Sequence, residues 1–176
     1  MIDWFSNVSI SSSMKIVLIR PHNTHRLFAL RMAIDTPTSG RDDVRDKEVP
    51  KFAAGKDCAA FICDKGGDCL GYVQVTRKDD LTNGATLQIG LGNCGHIVRI
   101  GVISDARFKG VGMALLSKAE EWLKKKGKYG AWADYPVANQ AAAQLFARGG
   151  YKVKTKFACD RGHHQRALAM KRWHLK

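Results

Sequence analysis

The chain has 176 residues, 45% hydrophobic and 26% charged, which fits one soluble globular domain able to bury roughly two-thirds of its unfolded surface. No apolar run approaches the ~18 residues of a membrane span, and a start carrying Asp3 with no basic cluster does not read as a secretory leader. The net charge of +13 is uneven: residues 1–95 hold 12 Lys and Arg against 11 Asp and Glu, whereas residues 96–176 hold 17 against 5. Such a one-sided field disfavours a polycationic partner and draws polyanions such as tRNA, DNA or an acidic protein.

Residues 1–13 are Ser-rich with isolated apolar groups and read as a loose extension, leaving 14–176 as the folded domain. Met14 to Arg20 is the first strand, closed by Pro21, and a helical pattern follows with Leu27, Leu30, Arg31 and Ile34 on neighbouring turns. Residues 35–56 turn polar and read as a loop with at most a short helix. Cys58–Cys63 and Leu70–Thr76 are strands joined through Asp64-Lys-Gly-Gly-Asp68, a strong hairpin signal. Cys63 and Cys69 could face each other across that hairpin, with buried free thiols the favoured reading. An odd total of five cysteines without a Cys-x-x-Cys nevertheless predicts reduced thiols and a cytoplasmic protein.

Lys78–Gly84 reads as a turn region, Thr86–Ile89 as a further short strand, and Gly90–Gly95 as a glycine-rich break. His96–Ser104 is the next strand, apolar at Ile97 and at either Ile100 or Val102. A long helix from about Arg107 to Lys126 carries the stripe Val111, Leu115, Ala119 and Trp122, and ends on Lys124, Lys125, Lys126 and Gly127. Tyr129–Tyr135 is a strand broken by Pro136, and Asn139 suits the N-cap of a last helix. Tyr151–Cys159 and Arg166–Trp173 complete the sheet around a turn at Asp160-Arg-Gly-His163.

The junction Arg107-Phe-Lys-Gly110-Val-Gly112 joins a strand to the start of the long helix. Glycines there let a ligand approach the backbone, and the helix N-terminus offers unpaired N–H groups of partial positive charge. The pattern is that of a pyrophosphate cradle. No Gly-Lys-Ser/Thr follows, so it is not a P-loop, and its glycine spacing is shorter than the Rossmann fingerprint.

Arg107-x-x-Gly110-x-Gly112 resembles motif A of the GNAT acetyltransferases, and Asn139-x-x-Ala142-x-x-Leu145-Phe146-x-x-x-Gly150-Tyr151 resembles their motif B. The resemblance spans nearly the whole chain. It implies an α/β, single-domain acyl-CoA N-acyltransferase fold, with a mixed central sheet of six to seven strands, about four flanking helices, and the fourth and fifth strands splayed. It also implies acetyl-CoA as co-substrate and a primary amine as acceptor. On this resemblance the amides from Phe108 through Lys109, Gly110, Val111 and Gly112 to Met113 bind the pyrophosphate beside Arg107. Ile100, Val102 and Ile103 line the pantetheine, an N–H near Val102 serves the oxyanion, and Asn139 contacts the pantetheine arm.

One departure matters: the family's common tyrosine falls on Phe146, which abuts the cofactor position but has no hydroxyl to protonate a leaving thiolate. The remaining candidates for proton transfer are Asp134, Tyr135 and Tyr151, with His96 a weaker one at a strand start. His163 and His164 beside Cys159 and Asp160 are metal-ligating types, but no second half completes a site, so no metal is expected. The basic second half favours an amine carried on a polyanion, aminoacyl-tRNA or another nucleic acid, with a protein as the other acceptor. The rival reading is a catalytically degenerate GNAT-fold module that binds nucleic acid or a protein partner. A monomer and a homodimer are both compatible with the sequence, and no membrane partner is expected.

Overall fold

The computed structural model describes residues 14–34, 51–53, 55–77, 93–158 and 165–173. The predicted loop over 35–56 lies mostly outside them. The predicted strand Thr86–Ile89 and the turn bearing His163 lie wholly outside, as does the extension 1–13. Seven strands form one sheet in the order β1-β2-β3-β4-β5-β7-β6. They are β1 Met14–Leu18, β2 Cys58–Lys65, β3 Asp68–Thr76, β4 Cys94–Val102, β5 Gly130–Pro136, β6 Lys152–Ala158 and β7 Gln165–Arg172. Among the described residues three helices pack on it, α1 Thr24–Ile34, α2 Val111–Lys125 and α3 Gln140–Arg148, and residues 51–53 add a helical turn. No described helix is long and apolar enough to cross a membrane.

All neighbouring strands are antiparallel except β4 and β5, which run parallel. Parallel strands need a long crossover, and α2 supplies it between them. Both faces of the central strands are covered, so β2 reads as a continuous apolar run. Ala59, Phe61 and Cys63 join one core beneath α2, and Ala60 and Ile62 join a second beneath α1. Leu27, Leu30 and Arg31 form the buried side of α1, at the spacing the sequence predicts. Arg26 anchors that helix to the β2–β3 hairpin: its guanidinium pairs with Asp64 and lies 3.1 Å from Cys69 Sγ. The same guanidinium, with the Gly67 amide, holds the Asp64 carboxyl below the usual range.

The hairpin turns at Gly66 and Gly67, both with positive φ. A register shift between Cys63 and Asp64 places Cys63 opposite Gly71, while Asp64 faces Cys69. The two cysteines therefore do not face one another, and both are free thiols. Burial pushes the Cys63 thiol up.

The α2 stripe differs slightly from the expected one. Val111, Leu115, Leu116, Ala119 and Leu123 are buried, whereas Trp122 packs at the rim. Glu120 is also buried on this face because Lys171 of β7 reaches it at 2.8 Å. Between β5 and β7 the backbones approach closely, and a Cβ at Gly130 would lie 2.5 Å from the Lys171 carbonyl oxygen and 2.8 Å from Cys94 Sγ. Since a backbone oxygen in a ladder cannot step aside, Gly130→Ala is expected to cost roughly 1–3 kcal/mol. Chemical denaturation of the variant should show a lower midpoint at unchanged slope, and an unchanged midpoint would refute the packing argument.

Candidate active site

β4 and β5 pair over only three rungs, Cys94↔Gly130, Gly95↔Ala131 and His96↔Trp132. Beyond His96 the strands separate. The register of β4 against β3 moves from Val75↔Ile97 to Gln74↔Arg99, so Val98 is an extra residue, a β-bulge two residues past the last rung. A bulge bends its strand and increases the local twist, which here carries β4 away from β5. It also explains the ambiguous alternation in the sequence. With one residue inserted, Ile97, Ile100 and Val102 all pack toward the same core, although strict alternation would divide them.

A cavity of about 430 Å³ lies against the half of β4 beyond its last rung with β5. One wall is the far half of β4, at Ile100, Gly101 and Val102. Another is the turn into α2, at Arg107, Phe108, Gly110, Gly112 and Met113. The third is one stripe of α3, formed by Ala141, Gln144, Leu145 and Arg148, with Asn139 at its head. That stripe recurs at three- and four-residue steps and was legible as a helix face, yet nothing in its composition marks it as ligand-facing. Ile34, at the end of α1, also reaches the cavity and was not anticipated.

The junction is built for backbone exposure. The helix proper begins at Val111, four residues later than its apolar periodicity suggests, because Phe108 (φ 59°) and Gly110 (φ 84°) are left-handed. Gly110 is the N-cap and gives no side-chain cap, and the first intrahelical bond of the turn is Ala114 N–H to the Gly110 carbonyl at 3.0 Å. The amides of Val111, Gly112 and Met113 are thus left for another acceptor. A Cβ on Gly112 would stand 3.2 Å from Leu145 Cδ1, which explains a small residue where α2 meets α3. Arg107 folds back, its Nε donating to the Val102 carbonyl at 3.2 Å, and Phe108 is 82% exposed at the cavity mouth.

Several expected residues stand elsewhere. Val111 is buried in the core, and Lys109 is exposed on the turn without lining the cavity. Ile103 packs between the two cores, and its amide donates to the Leu70 carbonyl at 3.0 Å. Asn139 caps α3, its side-chain oxygen accepting from the Ala142 amide at 3.0 Å, which leaves its NH₂ for a ligand. Phe146 is buried between Tyr135, stacked at 5.6 Å, and Tyr151, edge-on at 5.2 Å. That aromatic cluster lies outside the cavity lining. Burial foremost, then Glu120, pushes the Tyr151 phenol up.

Asp134 does not line the cavity either. It projects from β5 to the opposite sheet face from Ala133 and Tyr135, where Arg166 of β7 donates to its carboxylate and to its backbone carbonyl. Burial would raise this carboxyl, but His96 and Arg166 outweigh it and hold it below its ordinary value of 3.8. Among the described residues no group of three His, Cys, Asp or Glu is placed to hold a metal.

A sheet opened between its parallel strands, beside a glycine-capped helix end with unused amides, is the arrangement that the resemblance to the GNAT acetyltransferases implies. The sequence pattern of the acetyltransferase (GNAT) family matches residues 25–151, and the chain belongs to that family of acetyl-CoA-dependent N-acetyltransferases. No curated protein sequence matches it. Solved structures of similar fold include the ribosomal-protein-S18-alanine N-acetyltransferase from Escherichia coli, with a TM-score of 0.68 at 15% identity over 93% of this chain and 96% of that one. Arabidopsis thaliana NAA60 in complex with acetyl-CoA gives 0.65 at 14% identity over 90% and 98%. The PaiA N-acetyltransferase from Thermoplasma acidophilum in complex with coenzyme A gives 0.65 at 13% identity over 92% and 99%.

Two tests follow from the geometry. Gly112→Glu places a carboxylate against Leu145 and into the cradle, and calorimetric titration should show acetyl-CoA affinity falling at least about 100-fold while thermal unfolding stays cooperative. Retained affinity would move the phosphate site elsewhere. For Asp134, the depressed carboxyl means its ion-pair contribution is fully present above its ordinary value of 3.8 and is lost as pH falls through the lower folded value. Asp134→Asn should therefore flatten the acid limb of stability, measured by denaturation between about pH 5 and 2.

Proposed function

We propose that the chain acetylates a primary amine carried on a polyanion, with aminoacyl-tRNA as the first choice of acceptor. The observation that carries the transfer reading is the meeting of the half of β4 unpaired with β5 and the uncapped start of α2 in one cavity. Acetyl-CoA, when bound, supplies an activated acetyl group. The amides of the α2 N-terminus hold its phosphates, and the unpaired half of β4 offers strand-like hydrogen bonds to the pantetheine. Ile100, Val102 and Leu145 exclude water around the thioester, and fixing both reactants in one gap removes much of the entropic barrier.

Charge supports the acceptor class. Among the described residues of the second half, Glu120 is taken by Lys171, Glu121 by Lys118 and Lys125, and Asp134 by Arg166. Lys152, Lys154 and Lys156 stand exposed along the edge strand β6. Basic residues on an edge strand also block edge-to-edge aggregation, so the polyanion reading rests on the excess and not on these three alone. A protein N-terminus is the second choice, in line with the name of the E. coli neighbour.

The deciding assay incubates the protein with acetyl-labelled acetyl-CoA and separate pools of aminoacyl-tRNA, DNA, protein and small amines. Label in aminoacyl-tRNA, decreasing steeply with salt, is the expected outcome. Label confined to protein would replace the polyanion, and label in no pool together with salt-dependent nucleic-acid binding would favour the non-catalytic module.

A further inference from the structure

The end of α2 farthest from the cavity carries a second concentration of charge. Between Trp122 and Tyr129 stand Lys124, Lys125, Lys126 and Lys128, with no acidic residue among them. Lys125 is held by Glu121, which also takes Lys118, and Glu120 is taken by Lys171. The carboxylates nearest in sequence are thus neutralised. Lys124 and Lys126 meet indoles instead. Lys124 Nζ lies 5.2 Å from the centre of the Trp173 ring, and Lys126 Nζ lies 5.3 Å from that of Trp122. Tyr129, at the same rim, is 50% exposed. The helix dipole accounts for cations in the last turn, but not for aromatic rings left within reach of solvent among them.

The backbone of this rim is already bonded in place. α2 stops at Gly127 (φ 73°), whose amide returns to the Lys124 carbonyl at 3.0 Å, and the Lys128 amide returns to the Leu123 carbonyl at 3.1 Å. Trp173 follows the end of β7 and is fixed at two points. Its backbone amide donates to the Tyr129 carbonyl at 3.1 Å, and its Nε1 donates to the Lys128 carbonyl at 2.7 Å. Trp122 and Trp173 bury part of their area against the core beneath α2 and turn the rest outward. Side chains from the helix, the turn after it and the last strand therefore form one continuous surface of ammonium groups and aromatic rings. A surface ordered in advance loses little freedom when a ligand settles on it.

We propose that this surface binds a nucleic-acid strand with unstacked bases, its phosphates on Lys124, Lys126 and Lys128 and a base on the ring of Tyr129. A single strand carries one negative charge per nucleotide and a flat π face between successive charges, and the rim presents the matching alternation of cation and ring. An acidic polypeptide brings the charge without the rings, and a duplex keeps its base faces inside its own stack. The fifteen residues of α2 span about 22 Å, so the rim and the cavity are separate and one long polyanion reaches both. The purpose of the strand here rests on the polyanion-acceptor reading; its binding does not.

The test titrates the full chain into a dye-labelled single-stranded RNA of about twelve nucleotides, the matching duplex and polyglutamate, read by fluorescence anisotropy at several salt concentrations. The single strand should bind most tightly, with log affinity falling linearly in log salt. Lys124→Glu combined with Lys126→Glu should weaken strand binding at least about 30-fold and make the salt slope shallower by about 1.4. Tyr129→Ala should weaken the strand about 5- to 100-fold and the duplex less than about 2-fold. Both variants should keep cooperative unfolding and wild-type acetyl-CoA affinity by calorimetry. Wild-type strand binding in the double lysine variant would overturn the surface, as would polyglutamate binding as tightly as the strand with Tyr129→Ala unaffected. A loss on combining Lys152→Glu, Lys154→Glu and Lys156→Glu, with none at α2, would overturn it too and move the strand to β6. Label in aminoacyl-tRNA without strand binding at the rim strikes the surface alone, and strand binding without label in any pool strikes the acceptor reading alone.

Discussion

The inserted residue at Val98 is the constraint on which the remaining geometry depends. Sheet strands otherwise pair until they end, because unpaired backbone groups are costly when buried. Here β4 and β5 stop after three rungs although both continue, β4 to Val102 and β5 to Pro136. The bulge redirects β4 while keeping its other edge bonded to β3 as far as Gly71↔Val102. Half of a central strand is thereby exposed along one edge without being loosened, and a rigid row of backbone donors and acceptors faces the cavity.

Neighbouring elements are adjusted to that opening. Gly101 lets Ile34 and Tyr72 approach closely, since a Cβ there would lie 2.9 Å from each. Gly95, on the last rungs, receives Leu123 of α2, and this seats the helix low on the sheet with its N-terminus at the open end. β5 is held from the far side by a continuous register with β7, seven rungs from Gly130↔Arg172 to Pro136↔Arg166. The separation therefore comes from displacement of β4 against a fixed β5, not from a frayed sheet edge.

The sequence carried much of this. Glycine spacing at 110 and 112, the hairpin at Gly66-Gly67 and the cap at Asn139 are local codes, readable because each meets a backbone requirement within a few residues. The late start of α2 was not readable. Apolar periodicity cannot report that Phe108 takes a positive φ, a conformation unusual for an aromatic residue. The bulge was half visible, as apolar residues at Ile97, Ile100 and Val102 that strict alternation cannot place on one face. Deciding it requires the register against β3, which is a tertiary fact.

The proton-transfer candidates show the limit most clearly. Residue type and position near strand ends single out Asp134, Tyr135 and Tyr151, but side-chain partners set what each can do. Tyr135 and Tyr151 sandwich Phe146 in an apolar cluster, so a phenylalanine at the family's tyrosine position preserves packing there even as it removes a hydroxyl. Asp134 meets a cation thirty-two positions away in the chain, which no local reading could pair with it. His96 looked like an ordinary strand start. It becomes informative only once β5 lies alongside, with an indole against its face and a carboxylate beside its ring nitrogen. The two sheet faces thus differ in kind: the open amides at the start of α2 stand beside the cavity, whereas the polar row of His96, Asp134 and Arg166 lies on the face that carries α1, outside the cavity lining.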